Sequence, residues 1–362
     1  MSDVSLTQDE PKAEAAQGPR VRDGLSYPFP ARPEPGQTVR VAEGVYWLRM
    51  PLPFQLNHIN LWLLEDGDGW TVVDTGVRNK DTMALWEQHF QGTMAGRPVR
   101  KVIVTHLHPD HVGLAGWLCK TFDAPLFMSR TDYLLCRTLV LDTGKPAPEE
   151  GIQFYRAAGF HEAAIETYKQ RFGGFGMGVY HLPQSYHRMR GGQILQIGGR
   201  DWHLIEGRGH APEHICLWCP QDRLLISGDQ ILPRISSNVS VHPTEPDANP
   251  LQDWLESCEL LRDTIPDDTL VCPAHGEPFH GVKTRMTQLI DGHEEGLTKL
   301  AELCREPKRA VEVFPALFRA RITAGNYGMA TGESLAHLNC LIGRGQMRRT
   351  QDADGINLYQ TL

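Results

Sequence analysis

The sequence predicts a mixed α/β chain with two β-rich halves, each carrying helices. Two observations predict it. Short apolar or alternating runs with turn residues between them occur before and after a helix-rich middle stretch. The order along the chain is strands, helix, helical insertion, strands, helix, with a further helical segment at the end.

Residues 1–35 begin MSDVSLTQDEPKAEAAQGPR, which is polar, acidic and Pro-containing. With no apolar core it is no secretory signal, and it reads as a disordered tail that counts for little in the fold. Residues 37–52 alternate like a strand with a break at Glu43-Gly44. Residues 59–64 and 70–73 are two more strands, joined through Asp-Gly pairs that suit a hairpin turn. The chain thus opens as an antiparallel unit, and the first long helix follows at 80–91. Residues 102–104 form a β-branched run that suits a buried strand.

The composition turns helical at 129–178, with helices read at 132–141, 149–158 and 161–172 and many aromatic side chains between them. Gly173-Gly174-Phe175-Gly176-Met177-Gly178 then supplies a flexible, apolar-tipped loop. This insertion, about 130–190, either packs its own small core or forms a lid over an apolar pocket with the Gly-rich piece as hinge. Strands return at 193–197, 202–206, 215–219 and 223–227, followed by a helix at 254–261 and a strand at 270–272. Residues 281–362 read as helices at 282–303, 310–319 and 332–343, with a hairpin turning at Asp354-Gly355. That segment holds 11 Lys/Arg against 9 Asp/Glu, a balance of +2. It suits a packing or homodimer role better than a nucleic-acid grip, and its removal is expected to harm solubility or assembly more than chemistry.

The chain is 362 residues long with a formal net charge of −8, which does not suit holding nucleic acid by bulk charge. No apolar run approaches the roughly 18 residues needed to span a bilayer. A cytoplasmic protein with no membrane partner is expected. The eight cysteines are scattered through apolar segments and read as reduced and buried. Cys216 and Cys219 have CxxC spacing, but inside a strand their sulfurs face opposite ways, which suits a structural use.

The chemistry gathers after the 102–104 strand. His106, His108, Asp110 and His111 fall within six residues, followed by an apolar segment that can form a helix. His106 and His108 are two apart, so on an extended turn both rings can point one way. Pro109 keeps His108 out of the α region. Asp110 and His111 open the helix, where exposed N–H groups favour a carboxylate. The natural result is one metal on the 106/108 side and a second on the 110/111 side. Imidazole with carboxylate, and no nearby thiolate, suits zinc or a similar borderline ion.

His106-Leu107-His108-Pro109-Asp110-His111 resembles the HxHxDH signature of the metallo-β-lactamase-fold hydrolases. Further matching motifs occur in order: Asp74 in VVDTG, His210 in GRGHAPEH, Asp229 in LLISGDQIL and His275 in VCPAHGEPF. The resemblance covers about residues 39–281 and implies a four-layer αββα sandwich. The last stretch resembles the small helical, winged-helix-like domain found after the core in some members. The domains expected are therefore a tail at 1–35, a catalytic domain at 36–280 and a C-terminal domain at 281–362.

The resemblance also implies roles. His106, His108 and His210 complete one site; Asp110, His111 and His275 complete the other; Asp229 bridges them. Two Zn2+ ions are the expected cofactors, with iron or manganese as alternatives on the same ligands. A shared hydroxide would then attack an acyl carbonyl polarised by one metal, with His106, His108, Asp110 and Asp229 framing the reaction. Asp74 is expected to orient a metal-bound imidazole. His214 resembles the second His of a GHxxGH pattern, but Glu213 stands where that pattern has Gly, so it reads as a bracing residue. His89, His161 and His293 read as surface or core.

The substrate expected is a small acyl compound, foremost an acyl-CoA-like thioester, with a lactone or other ester as the alternative. Asn60, Tyr180, Tyr186, His187 and Arg188 are the residues that can reach it, and Arg188 and Arg190 can meet an acidic moiety. Two other classes compete. An endoribonuclease with the same core is opposed by the acidic balance, and a silent binding protein is opposed by the complete ligand set.

Overall fold

The computed structural model describes residues 19–53 and 56–362. A seven-stranded sheet holds β3 (Thr38–Ala42), β4 (Val45–Pro51), β5 (His58–Asp66), β6 (Gly69–Val73), β7 (Val99–Ile103), β8 (Leu126–Ser129) and β9 (His187–Met189), in that spatial order. It is antiparallel from β3 to β6 and parallel from β6 to β9. A five-stranded sheet holds β10 (Ile194–Ile197), β11 (Arg200–Gly207), β12 (His214–Cys219), β13 (Leu224–Gly228) and β14 (Leu270–Pro273), with only β13 and β14 parallel.

Side-chain alternation explains the layering. On β4 and β5, Trp47, Trp62 and Leu64 face the second sheet, whereas Leu48, Met50, Leu61 and Leu63 face the other way. The inter-sheet core meets Ile215, Leu217, Cys219, Leu224 and Ile226 from β12 and β13. The outer face of the first sheet is covered by α1 (Lys80–Gln91), α3 (Ala115–Phe122) and α4 (Arg130–Leu141), which contribute Trp86, Leu118 and Tyr133. The outer face of the second carries α7 (Pro250–Thr264), on which α8 (Val282–Leu303) and α10 (Tyr327–Gly343) pack, so that Trp254, Met286 and Leu335 share one buried core with Cys216, Leu225 and Val271. The result is the αββα sandwich. Cys216 thus faces the helices and Cys219 the inter-sheet core. All eight cysteines are free and buried.

Several expectations need correcting. Residues 19–35 are not tail: β1 (Arg20–Arg22) and β2 (Leu25–Tyr27) form a hairpin, and residues 1–18 lie outside the described ones. Leu25 and Tyr27 bury against the core that contains Phe279 and Val282, and Arg32 pairs with Glu277 at 2.9 Å. β8 and β9 are short strands whose neighbours are distant in sequence, so no local pattern marks them. The helix expected over 310–319 is a 3₁₀ turn, Ala310–Glu312, followed by α9 (Phe314–Leu317), with Pro315 fitting its first turn. α10 begins at Tyr327, five residues before the expected start at Gly332. In the helical insertion, α5 (Glu149–Ala157) and α6 (Glu162–Arg171) follow α4. The C-terminal hairpin pairs β15 (Met347–Gln351) with β16 (Asn357–Thr361). Among the described residues, no helix is long and apolar enough to cross a membrane.

Trp47 and Trp62 stack at 6.4 Å between the sheets, both essentially buried. Trp62→Ala is expected to cost about 3–5 kcal/mol through cavity formation. Denaturant unfolding of both proteins measures it; a loss below about 1 kcal/mol would contradict this account of the core.

Candidate metal centre

The ligand-rich turn leaves β7 and enters α2 (Pro109–Val112). His108 sits before that helix at φ −61° and ψ 145°, the extended geometry that the following proline imposes. His210 lies between β11 and β12. Asp229 immediately follows β13, and His275 lies just past β14. Gly228, with φ 50°, lets the chain turn into Asp229; a Cβ there would stand 2.5 Å from His214 Nε2.

These chain-distant side chains converge. His106, His108, His210 and Asp229 place ligand atoms within 4.8 Å of one another, as do Asp110, His111 and His275. His106 Nε2 and His108 Nδ1 are 2.9 Å apart. Asp229 joins the groups: Oδ2 lies 3.4 Å from His210 Nε2, and Oδ1 lies 3.5 Å from His111 Nε2 and 3.4 Å from His275 Nε2. Asp110 Oδ2 is 3.3 Å from His275 Nε2 and 3.8 Å from His111 Nε2.

The residues fit metal ions. His111 Nε2, His210 Nε2 and Asp229 Oδ1 are buried without a hydrogen-bond partner among the described residues. Orphaned buried polar atoms are costly, and three of them aimed at one centre are accounted for by a cation. Burial, with the neighbouring imidazoles, holds His106 well below the usual histidine range, and burial beside His210 takes His108 down to about 3. Burial alone would raise Asp229, yet His275 and His111 hold its carboxyl well below the usual value. Neutral imidazoles and ionised carboxylates are the forms that ligate metals. Burial opposes charge on His111, but Asp74, Asp229 and Asp110 together push its pKa well above normal. Three carboxylates around one ring thus call for positive charge, which a divalent ion supplies.

Hydrogen bonds from the scaffold orient the rings. Asp74, strained at φ 60°, accepts from Thr105 N at 2.8 Å and Thr105 Oγ1 at 2.8 Å, and meets His111 Nδ1 at 2.8 Å. His210 Nδ1 donates to Asn238 O at 2.7 Å and His275 Nδ1 to His58 O at 2.8 Å. A carbonyl only accepts, so the Nε2 lone pairs of these two rings face the centre. His214 stands outside both ligand groups. Its Nε2 accepts from Asp229 N at 3.1 Å, and its ring lies 4.9 Å from His106.

Asp132, which the sequence reading passed over, ties two ligand loops together. One oxygen accepts from Leu107 N at 2.9 Å; the other accepts from Glu213 N at 2.9 Å and Ser129 Oγ at 3.1 Å. Burial pushes this carboxyl up to about 6. A Ser-x-x-Asp spacing at the helix start was its only local signal.

The expected substrate residues lie in different settings. Asn60 is fully buried, and its Nδ2 donates to Pro273 O and Gly276 O, both at 2.9 Å, so it buttresses the His275 turn. Tyr186 stacks on Tyr133 at 3.9 Å, and His187 stacks on Phe127 at 4.7 Å. Arg188 is exposed on the edge strand β9. Tyr180 follows the Gly-rich piece, and its N donates to Gly113 O at 2.7 Å. That piece is a 3₁₀ turn, Gly174–Gly178, lying beside the ligand helix; a Cβ at Gly178 would meet Pro109 Cβ at 3.1 Å. Earlier in the insertion, Tyr155, Phe160 and Tyr168 pack together and, with Tyr327, line a cavity of about 400 Å³. His89 and His293 are buried, and His161 caps α6.

A two-sheet sandwich with this His/Asp cluster at its strand ends defines a metallo-hydrolase. Residues 55–275 match the metallo-beta-lactamase superfamily model, and residues 297–362 match a metallo-beta-lactamase-like C-terminal domain. The chain belongs to the metallo-beta-lactamase superfamily. It is similar to the crystal structure of a beta-lactamase domain protein from Burkholderia ambifaria, at 40% identity and TM-score 0.85, covering 93% of this chain and 98% of that one. It is also similar to the probable metallo-hydrolase YqjP of Bacillus subtilis, at 26% identity over 83% of this chain and 92% of the relative. A more distant relative, at 20% identity over 77% of this chain and 71% of its own length, is the atrochrysone carboxyl ACP thioesterase of Aspergillus fumigatus.

Asp132→Ala leaves the Leu107 and Glu213 amides unpaired, at about 1–3 kcal/mol each. The expected outcome is a lower unfolding midpoint together with reduced zinc retention under chelator. Wild-type retention in the variant would show that the two loops hold their positions without this carboxylate.

Proposed function

We propose that this chain is a dinuclear metal-dependent hydrolase of acyl thioesters and esters, with acyl-CoA-like thioesters as the leading substrates. One observation carries the two-ion reading: the oxygens of Asp229 face imidazoles of different ligand groups, as a bridging carboxylate requires. His106, His108 and His210 would hold one ion, Asp110, His111 and His275 the other. Zinc suits these donors, and iron or manganese can use them too. A bound pair supplies an activated water oxygen and polarises the acyl carbonyl.

The protein's own contribution is orientation and proton handling. Asp74, Asn238 O and His58 O fix the rings of His111, His210 and His275, so the binding atoms are set before substrate arrives. Asp110 is the more open acid, with its side chain 19% exposed against 10% for Asp229. With Oδ2 turned to His111 and His275, its Oδ1 would be the atom to take a proton from the attacking water and return it to an alkoxide leaving group. A thiolate departs without that help, which suits a thioester. The thioesterase named among the relatives supports the same choice.

Two experiments test the proposal. Asp229→Ala is expected to lose bound metal and hydrolysis together, measured by elemental analysis and turnover of the purified variant; two retained ions would refute the bridge. Wild-type protein, assayed against acyl-CoA thioesters beside lactones with and without chelator, is expected to cleave thioesters only when metal is present. Metal-dependent cleavage of lactones alone would overturn the thioester assignment.

A further inference from the structure

The segment between Asp229 and α7 runs without regular structure, although it begins at the bridging carboxylate and carries the carbonyl that orients His210. Several of its backbone and side-chain groups pair with the two long C-terminal helices. On α8, Arg285 Nε donates to Leu232 O at 2.6 Å, and Arg285 NH2 donates to Ile235 O at 2.8 Å. His293, also on α8, places Nε2 3.1 Å from Ser236 Oγ and Nδ1 3.3 Å from His337 Nε2. On α10, Glu333 Oε2 accepts from Asn238 Nδ2 at 2.9 Å, Gly332 O accepts from Val241 N at 3.0 Å, and Asn339 Nδ2 donates to Pro246 O and Ala248 O. The Asn238 amide accepts from Ser240 Oγ at 2.6 Å through Oδ1 and turns Nδ2 to Glu333.

We propose that Glu333 is a positioning residue for the metal centre, acting through Asn238 on His210, and that α8 and α10 are a clamp on the loop that sets Asp229 and His210. The chain of contacts is short. Glu333 holds the Asn238 side chain, and the Asn238 carbonyl holds His210 Nδ1. The opposite atom of that ring, Nε2, lies 3.4 Å from Asp229 Oδ2 inside the first ligand group. Ser237 adds a second link, since its hydroxyl donates to the backbone oxygen of Asp229. A loop freed from these bonds would let the His210 ring rotate and the bridging carboxylate drift. Metal affinity falls steeply with such displacement. The C-terminal segment is then part of the site's geometry, and removing it would cost chemistry as well as solubility.

Burial pushes the Glu333 carboxyl up to about 7, so charged and neutral forms are both present near neutral pH. Either form keeps an oxygen that can accept from Asn238, and so does glutamine. This makes Glu333→Gln the conservative control. Glu333→Ala removes the acceptor. Asn238→Ala breaks the same link from the other end and leaves the backbone carbonyl to His210 in place.

The test is competition for zinc between a chelator and the full-length, metal-loaded chain, beside unfolding of the metal-free chain. Glu333→Ala and Asn238→Ala are each expected to weaken zinc retention about tenfold, the lower end of what lost support around a ligand costs, with Glu333→Gln staying within about twofold of wild type. The double variant is expected to lose no more than either single one. A merely structural Glu333 would instead lower the unfolding midpoint of metal-free and metal-loaded protein alike and leave zinc affinity unchanged. That result, or additive losses in the double variant, would overturn the proposal. It rests on the metal centre, not on the choice of substrate. Wild-type protein that takes up no zinc would overturn the centre itself, whereas equal affinities for wild type and Glu333→Ala would overturn the clamp alone.

Discussion

One carboxylate is shared between two sets of imidazoles, and the rest of the molecule serves to hold it there. Asp229 has no freedom to choose a side. Its backbone N–H is fixed by His214, its carbonyl by Ser237, and its two oxygens face opposite ligand groups. Concentrating Asp74, Asp110 and Asp229 with five histidines in a buried space is unfavourable without compensating charge. The buried nitrogens of His111 and His210 and the Oδ1 of Asp229 are the atoms that a cation would satisfy. Two sheets packed through Trp47, Trp62 and Trp202 form the frame from which these loops project.

The sandwich explains how distant sequence positions meet. The parallel pair β13 and β14 ends in Asp229 and His275, and β7 ends just before His106, so the loops of both sheets open on one rim. Function at the ends of strands is the general expectation for such sheets. Carbonyls and carboxylates from neighbouring loops then choose which ring nitrogen faces inward, so ring orientation is a property of the whole rim.

Much of this was legible in the residues. The alternation in β4, β5 and β12 marks two buried faces, and the helical periodicity of residues 80–91 and 282–303 matches α1 and α8 at both ends. The HLHPDH turn is dense enough to read as a ligand cluster by itself, but His210, Asp229 and His275 needed the family resemblance, because nothing local brings them together. Other features were hidden for physical reasons. β8 and β9 have four and three residues and draw their pairing from partners far away in sequence. The Pro-rich composition of residues 19–35 masked a hairpin whose Leu25 is fully buried. Asn60 is polar and reads as a residue that can reach substrate, yet β5 carries it inward to two backbone carbonyls. Asp132 and Glu333 act through contacts that span 81 and 95 residues, which no local pattern encodes.

The most direct measurement is an anomalous-difference map from crystals of the metal-loaded protein. Two ions are expected, one ringed by His106, His108 and His210 and the other by Asp110, His111 and His275, with Asp229 touching both. A single ion, or a pair that leaves Asp229 uncoordinated, would contradict this.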